Sequence, residues 1–222
     1  MSHNSSSLDL PLAHLYRASS LKSKAPLLVL LHGYGSNMHD LYGFVPYLSE
    51  EFAVVALQAP IHLGGPSYAW YDIYFDQPKG KWNNEDQAKI AVELILNTLK
   101  KIINQIDIDP AQLNVLGFSQ GAILSYALAM AHGHLNKVLC LSGYLNEGVF
   151  PVSTELNSCL NTQFFISHGD QDQVIPVTWA RSSKIRLQEL GCQLQYHEFP
   201  VGHGVSPENF LALNSFLNQK PL

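Results

Sequence analysis

The chain has 222 residues, of which 46% are hydrophobic and only 14% charged. That is the composition of a compact globular protein, not a disordered one, and at this length it is read as one domain over 1–222. A formal net charge of −5 with no cluster of Lys or Arg lacks the electrostatic footprint of a nucleic-acid binder. The longest apolar block, 27–31, is far too short to span a bilayer. The opening stretch 1–7 has neither the cationic nor the apolar part of a signal peptide and reads as a frayed tail. Three cysteines, Cys140, Cys159 and Cys192, form no CxxC or other metal-ligand spacing, and an odd number cannot all pair within the chain. Cys140 lies in an apolar run and reads as a buried thiol, which favours a reducing compartment and a cytoplasmic location.

In chain order, 10–17 reads as an edge strand. Residues 25–31 are a buried strand without alternation, of the kind seen when both faces of a parallel sheet are covered. This strand runs into the turn His32-Gly33-Tyr34-Gly35-Ser36-Asn37, and 38–48 then has helical spacing (Leu41, Phe44, Val45, Leu48). A second buried strand covers 52–58. The connection 61–83 is rich in Gly, Pro and aromatics (Tyr68, Trp70, Tyr71, Tyr74, Phe75, Trp82) and reads as a long loop without secondary structure, more often functional than idle.

An amphipathic helix is expected over 85–105, with Ile90, Leu94, Ile95, Leu99, Ile102 and Ile103 on one side. Asp109-Pro110 marks a break before a strand at 113–116, and an Ala/Leu-rich helix follows to about Ala131. Strands at 137–141 and 163–167, a helix at 179–190 stopped by Gly191, a strand at 192–199 and a helix at 207–217 complete the pattern. Alternating strands and helices imply an α/β fold: a mostly parallel central sheet with helices on both faces.

The stretch Gly117-Phe118-Ser119-Gln120-Gly121 stands where the 113–116 strand meets a helix, the layout of a nucleophile elbow. A serine at so tight a turn is held in a strained conformation, usually with positive φ, costing on the order of 1–3 kcal/mol. Residues two positions either side crowd each other, hence Gly117 and Gly121. In return the hydroxyl stands clear of the sheet, and the N–H of Gln120 points toward a developing oxyanion.

In a parallel sheet the functional residues gather at the carboxyl ends of the strands. Four such ends carry glycine-rich polar turns: 32–37, 117–121, 168–172 and 200–204. A nucleophilic serine needs a base and a carboxylate to orient that base. Asp170 and Asp172 follow one strand, and His203, between Gly202 and Gly204, follows the last. His203 is read as the base, the flanking glycines letting its loop approach a neighbouring strand end. His168 is expected to make structural hydrogen bonds under the acid turn, and His32 to brace the 33–37 turn. Neither His132-x-His134 nor His168-x-Asp170-x-Asp172 belongs to a complete zinc set, so no metal is expected.

Together, Leu31-His32-Gly33-Tyr34-Gly35, Gly117-Phe118-Ser119-Gln120-Gly121, His168-Gly169-Asp170-Gln171-Asp172 through Pro176, and Gly202-His203-Gly204 resemble the phospholipase/carboxylesterase family, which includes bacterial carboxylesterases and the acyl-protein thioesterases. The resemblance covers about 25–218. It implies an α/β-hydrolase fold without a large cap domain, Ser119 as nucleophile, His203 as base and Asp172 as the acid. It also implies an oxyanion hole of the Tyr34 and Gln120 backbone N–H groups. Two departures separate this chain from the acyl-protein thioesterases: Ala122 replaces a glycine, and Tyr68-Ala69-Trp70-Tyr71-Asp72 replaces a Pro-Ser-Trp-Phe-Asp stretch.

The expected activity is cofactor-free hydrolysis of carboxylic esters through an acyl-enzyme. The alternatives are a lysophospholipase or acyl-protein thioesterase and, outside the enzymes, a binding protein on the same fold. The substrate is expected to be a small ester or lipid-like molecule. Leu63, Tyr68, Trp70 and Tyr71 are read as the apolar wall for its acyl group, although an exposed aromatic loop could equally serve a second subunit in a homodimer.

Overall fold

The computed structural model describes residues 8–76, 80–151 and 159–219; the expected tail at 1–7 lies outside them. Its central sheet is seven-stranded, built from β1 (His14–Arg17), β2 (Ala25–Leu31), β3 (Ala53–Leu57), β8 (Ile108–Phe118), β9 (Lys137–Leu141), β10 (Gln163–Gly169) and β11 (Gln193–Phe199). The order across the sheet is β1-β3-β2-β8-β9-β10-β11. Every pairing is parallel except the edge strand β1, which runs antiparallel to β3.

β2 explains the double-sided burial. Leu27, Val29 and Leu31 point to one core, shared with α2 (Glu85–Gln105) and α3 (Gln120–His132). Leu28 and Leu30 point to the other, shared with α1 (His39–Tyr42) and α5 (Pro207–Asn218). A strand covered on both faces has no polar side to show, so its sequence does not alternate. α4 (Val177–Glu189) adds Leu187 to the first core. Across the second face, the ammonium of Lys137 donates to the carbonyls of Phe216 (2.9 Å), Leu217 (3.0 Å) and Gln219, capping the end of α5 from β9. Among the described residues no helix is long and apolar enough to cross a membrane.

Four sequence-based expectations need correction. The 38–48 stretch is not one helix: α1 stops at Tyr42, and a separate 3-10 turn, Val45–Tyr47, follows Gly43 with Pro46 in it. Gly is a poor helix former, and Pro46 lacks the N–H that would carry the α-helical ladder on. In α2, capped by the Asn84 side chain on Gln87 N–H, Ile90 is exposed. The buried face is Ala88, Ala91, Val92, Ile95, Thr98, Leu99 and Ile102, so small residues and a threonine complete the stripe. β8 begins at Ile108, not at 113. It pairs with Ala25 there, bulges through 109–112, where Asp109 accepts from Ala111 N–H and Gln112, and rejoins β2 at Leu113.

Finally, 61–83 is not structureless. It folds as two antiparallel hairpins, β4 (Ile61–Gly64) with β5 (Ser67–Ala69), and β6 (Ile73–Asp76) with β7 (Gly80–Asn83). Gly64 and Gly65, both at positive φ, turn the first. Apart from these hairpins, no large cap domain is inserted among the described residues.

Candidate active site

β8 ends at Phe118, and the chain reverses at once into α3. The residue at the reversal, Ser119, has φ 53° and ψ −114°, a conformation that costs a non-glycine residue about 1–3 kcal/mol. Its N–H is tied to Leu141 O of β9 at 2.9 Å. A Cβ on Gly117 would run into the Gly121 carbonyl, and one on Gly121 into the Leu31 carbonyl of β2. The two glycines therefore let the first turn of α3 rest on the sheet.

Ser119 meets His203 across the strand ends. The Ser119 hydroxyl lies 3.0 Å from His203 Nε2, and His203 Nδ1 lies 2.6 Å from Asp172 Oδ2. An ionised carboxylate only accepts, so Nδ1 carries the proton and Nε2 is left to accept from the serine. The Phe118 ring packs against His203 at 5.0 Å between centroids.

What brings the loop in is not the pair of glycines around His203. A Cβ on Gly204 would meet nothing, and one on Gly202 only Gln171 O at ordinary contact distance; a Cβ on Gly169 would strike the carbonyls of Val201 and Gly202. The close approach is made on the β10 side. It is fastened by Asp170 N–H to Phe199 O (2.9 Å) and Gln171 N–H to Val201 O (3.1 Å).

Asp172 is buried, whereas Asp170 is exposed. Asp172 Oδ1 accepts from Val174 N–H (2.8 Å) and Ile175 N–H (2.9 Å). Burial pushes its carboxyl up, but the bond from His203 and those two amides outweigh it and hold the carboxyl below its usual range. Beneath it His168 is fully buried, its Nε2 2.8 Å from Ile175 O and 3.2 Å from Asp172 Oδ2. The structural role expected for His168 is therefore directed at the acid turn itself.

The 33–37 turn lies beside the serine: a Cβ on Gly33 would come within 3.2 Å of Ser119 Cβ. His32 braces it, with Nδ1–H on Gly33 O (2.8 Å) and Nε2 accepting from Ala59 N–H and the Gln58 amide, both at 3.1 Å. Burial lowers the His32 pKa, which suits a neutral ring donating from one nitrogen and accepting at the other. Gly35 N–H binds Tyr68 O (2.9 Å), and Tyr68 N–H binds Ser36 O (2.8 Å). Among the described residues, neither the Tyr34 nor the Gln120 backbone N–H donates to a protein acceptor.

The four expected wall residues separate. Leu63 is exposed and Tyr68 half-buried, its ring against His62. Trp70 and Tyr71 are 1% and 0% exposed and belong to the core under the site, so they offer a ligand no surface. The reason is a clamp that spacing alone did not reveal. The Gln120 side chain accepts from Trp70 N–H (2.8 Å) and donates to Tyr71 O (2.7 Å), standing in for a strand, while the Trp70 indole N–H binds His32 O (2.9 Å). The buried amide following the serine was the only signal.

Sequence reading also passed over Tyr144 and Trp179, which pack edge to face at 4.7 Å. Tyr144 follows Gly143, where a Cβ would strike the Ala122 side chain at 2.5 Å and come within 3.1 Å of Ser119 O. A groove of about 850 Å³ beside β1, lined by Tyr16, Arg17, His39, Tyr42 and Pro46 among others, shares no residue with this cluster.

A serine on a strand-to-helix elbow, with a histidine and a buried aspartate from later strand ends of a mostly parallel sheet, defines an α/β-hydrolase. The sequence pattern of the phospholipase/carboxylesterase family matches residues 16–220, and the chain belongs to that family. Its relatives include acyl-protein thioesterase 1 of Kluyveromyces lactis, 29% identical over 95% of this chain and 98% of that protein. Acyl-protein thioesterase 1 of Debaryomyces hansenii is 25% identical over 90% and 94%. In fold the chain is similar to the Bacillus cereus carboxylesterase (TM-score 0.80, 16% identity, 95% of each chain). It is also similar to esterase PE8 (TM-score 0.79, 23% identity, 93% of this chain and 97% of that one).

Proposed function

We propose that this protein is a serine esterase that hydrolyses carboxylic esters through an acyl-enzyme, with Ser119 as nucleophile, His203 as base and Asp172 as the orienting acid. The observation that carries the reading is the continuous path from Ser119 Oγ through the His203 ring to Asp172, at 3.0 and 2.6 Å. His203 Nε2 takes the hydroxyl proton as Oγ attacks the ester carbonyl. The oxyanion is received by the backbone N–H groups of Tyr34 and Gln120, which have no competing acceptor among the described residues. His203 then protonates the leaving alcohol, and water frees the acyl group by the same route in reverse. Each group this scheme requires is a side chain or a backbone amide, so it calls for no cofactor.

Leu63 and Tyr68 are the wall residues that retain surface, and we assign them to the acyl side of the site. Trp70 and Tyr71 hold that wall from behind. The thioesterases among the relatives support a second reading, hydrolysis of fatty acyl thioesters by the same groups. The buried Cys140 thiol supports a cytoplasmic setting.

The test is labelling with a fluorophosphonate probe, with turnover of p-nitrophenyl esters of rising chain length and of a palmitoyl thioester alongside. Wild type should be labelled and active. Ser119→Ala should lose both at an unchanged melting temperature, since alanine tolerates the elbow's φ about as poorly as serine does. Labelling that survives in Ser119→Ala would place the nucleophile elsewhere.

A further inference from the structure

Far from the serine, two of the three cysteines meet. Cys159 Sγ and Cys192 Sγ lie 2.6 Å apart, both buried, while Cys140 sits on β9 beside Tyr126. Cys159 opens the turn into β10, where Thr162 N–H binds its carbonyl at 2.9 Å; Cys192 immediately precedes β11, its own N–H on Leu187 O at 2.9 Å. β10 and β11 are parallel neighbours in register from Gln163 and Gln193 onward. The pair therefore sits where the two strands start, at the opposite end of the sheet from His168, Asp172 and His203. A disulfide's S–S bond is about 2.05 Å, so joining these sulfurs asks for a shift of roughly half an ångström between strands the ladder already holds side by side.

We propose that Cys159 and Cys192 are an oxidisable pair that closes to an intramolecular disulfide, stapling β10 to β11 and stabilising the fold without touching the active site. The bond would close a loop containing β10, the acid turn and α4, and so restrict the unfolded chain over that whole stretch. With hydrogen peroxide as oxidant, the Cys159 thiolate attacks one oxygen, the O–O bond breaks, and the departing hydroxide takes up the thiol's proton as water. The resulting sulfenic acid is attacked at sulfur by Cys192: the S–O bond breaks, the S–S bond forms, and the second water leaves with the Cys192 proton. Two thiols and one peroxide give one disulfide and two waters. The contact between the two thiols holds the Cys159 thiol below its usual range and pushes Cys192 up, which favours Cys159 as the first to react.

The experiment treats the wild-type chain with hydrogen peroxide, quenches, denatures, alkylates and maps the peptides, with melts and ester turnover on the same samples. The expected product is a Cys159–Cys192 cross-linked peptide two hydrogens lighter than its parts, with Cys140 alkylated. It should come with a rise in Tm of about 5–10 °C that dithiothreitol reverses, and with turnover unchanged. Cys192→Ser and Cys159→Ser should each show no peroxide-dependent rise; because the mapping is done on wild type, a variant that folds badly does not spoil the test. Alkylation of all three cysteines, a link through Cys140, a link between two chains, or a correct link with no rise in Tm would each overturn the proposal.

Discussion

Asp172 shows how much a single position decides. Two carboxylates stand two residues apart in one turn, and residue chemistry alone left them equivalent; the family resemblance favoured the second. The turn separates them physically: Asp172 N–H folds back on Gly169 O at 3.2 Å, turning that side chain in toward His203 while Asp170 stays exposed. Asp172→Asn should lower kcat by up to about four orders of magnitude, through the wrong imidazole tautomer and the lost charge. Asp170→Asn should stay close to wild type. Steady-state kinetics on both variants, with melts to show that they fold, would reverse the assignment if Asp170→Asn proved the more damaging. Ser119 stood out because a strand-to-helix elbow has strict local demands, met by Gly117 and Gly121, whereas His203 stood out by its place after the last strand and not by its flanking glycines, which the packing does not require. The Gln120 clamp was not, since its partners lie 50 and 49 residues away in sequence.

Among the elements, strands buried on both faces announced themselves as unbroken apolar runs, and β2, β3, β9 and β10 stand where those runs are. Harder to read were segments shaped by contacts with distant chain. Ile90 was mistaken for core because 3.6-residue spacing gives a stripe but not its centre. The 61–83 hairpins were hidden because aromatic residues there serve different partners: Tyr68 pairs with the 33–37 turn, and Trp70 with His32 and Gln120. That division yields a contrast. Leu63→Ala, at the exposed wall, should shift kcat/KM along an acetyl-to-decanoyl ester series, at about 1–3 kcal/mol of discrimination per methylene lost from contact, at unchanged Tm. Trp70→Ala should lower Tm, since truncating a buried Trp costs about 3–5 kcal/mol, and depress all chain lengths alike. A chain-length shift in Trp70→Ala with a wild-type melt would return that residue to the wall.

For the whole molecule, the acid turn links the site to stability. The native carboxyl of Asp172 titrates below its unfolded value. Its contribution is therefore present above the unfolded carboxyl pKa, about 4, and is lost as pH falls through the lower native value. Glu198 acts in the same sense, held at about 2 chiefly by its hydrogen bond from Arg181. That pair is exposed and screened by salt. Asp172→Asn removes only the first contribution. Unfolding of wild type and Asp172→Asn in urea at pH 7, 5, 4 and 3 should give a stability gap that is constant down to about pH 5 and closes below pH 4. A gap that persists undiminished at pH 3 would show that the carboxylate's charge is not what stabilises the turn.

The Gln120 clamp also sets where the chain can change length. It grips the backbone of residues 70 and 71, not their side chains, so an insertion between Ala69 and Asp72 would slip that register and drag on Gln120, the residue next to the serine. The first hairpin's tip is the reverse case: Gly64 and Gly65 have open space around them, and residues added there would lengthen the exposed rim without moving the clamp. Loop exchange intended to admit a different ester should cut at 64–65 and leave 69–72 intact.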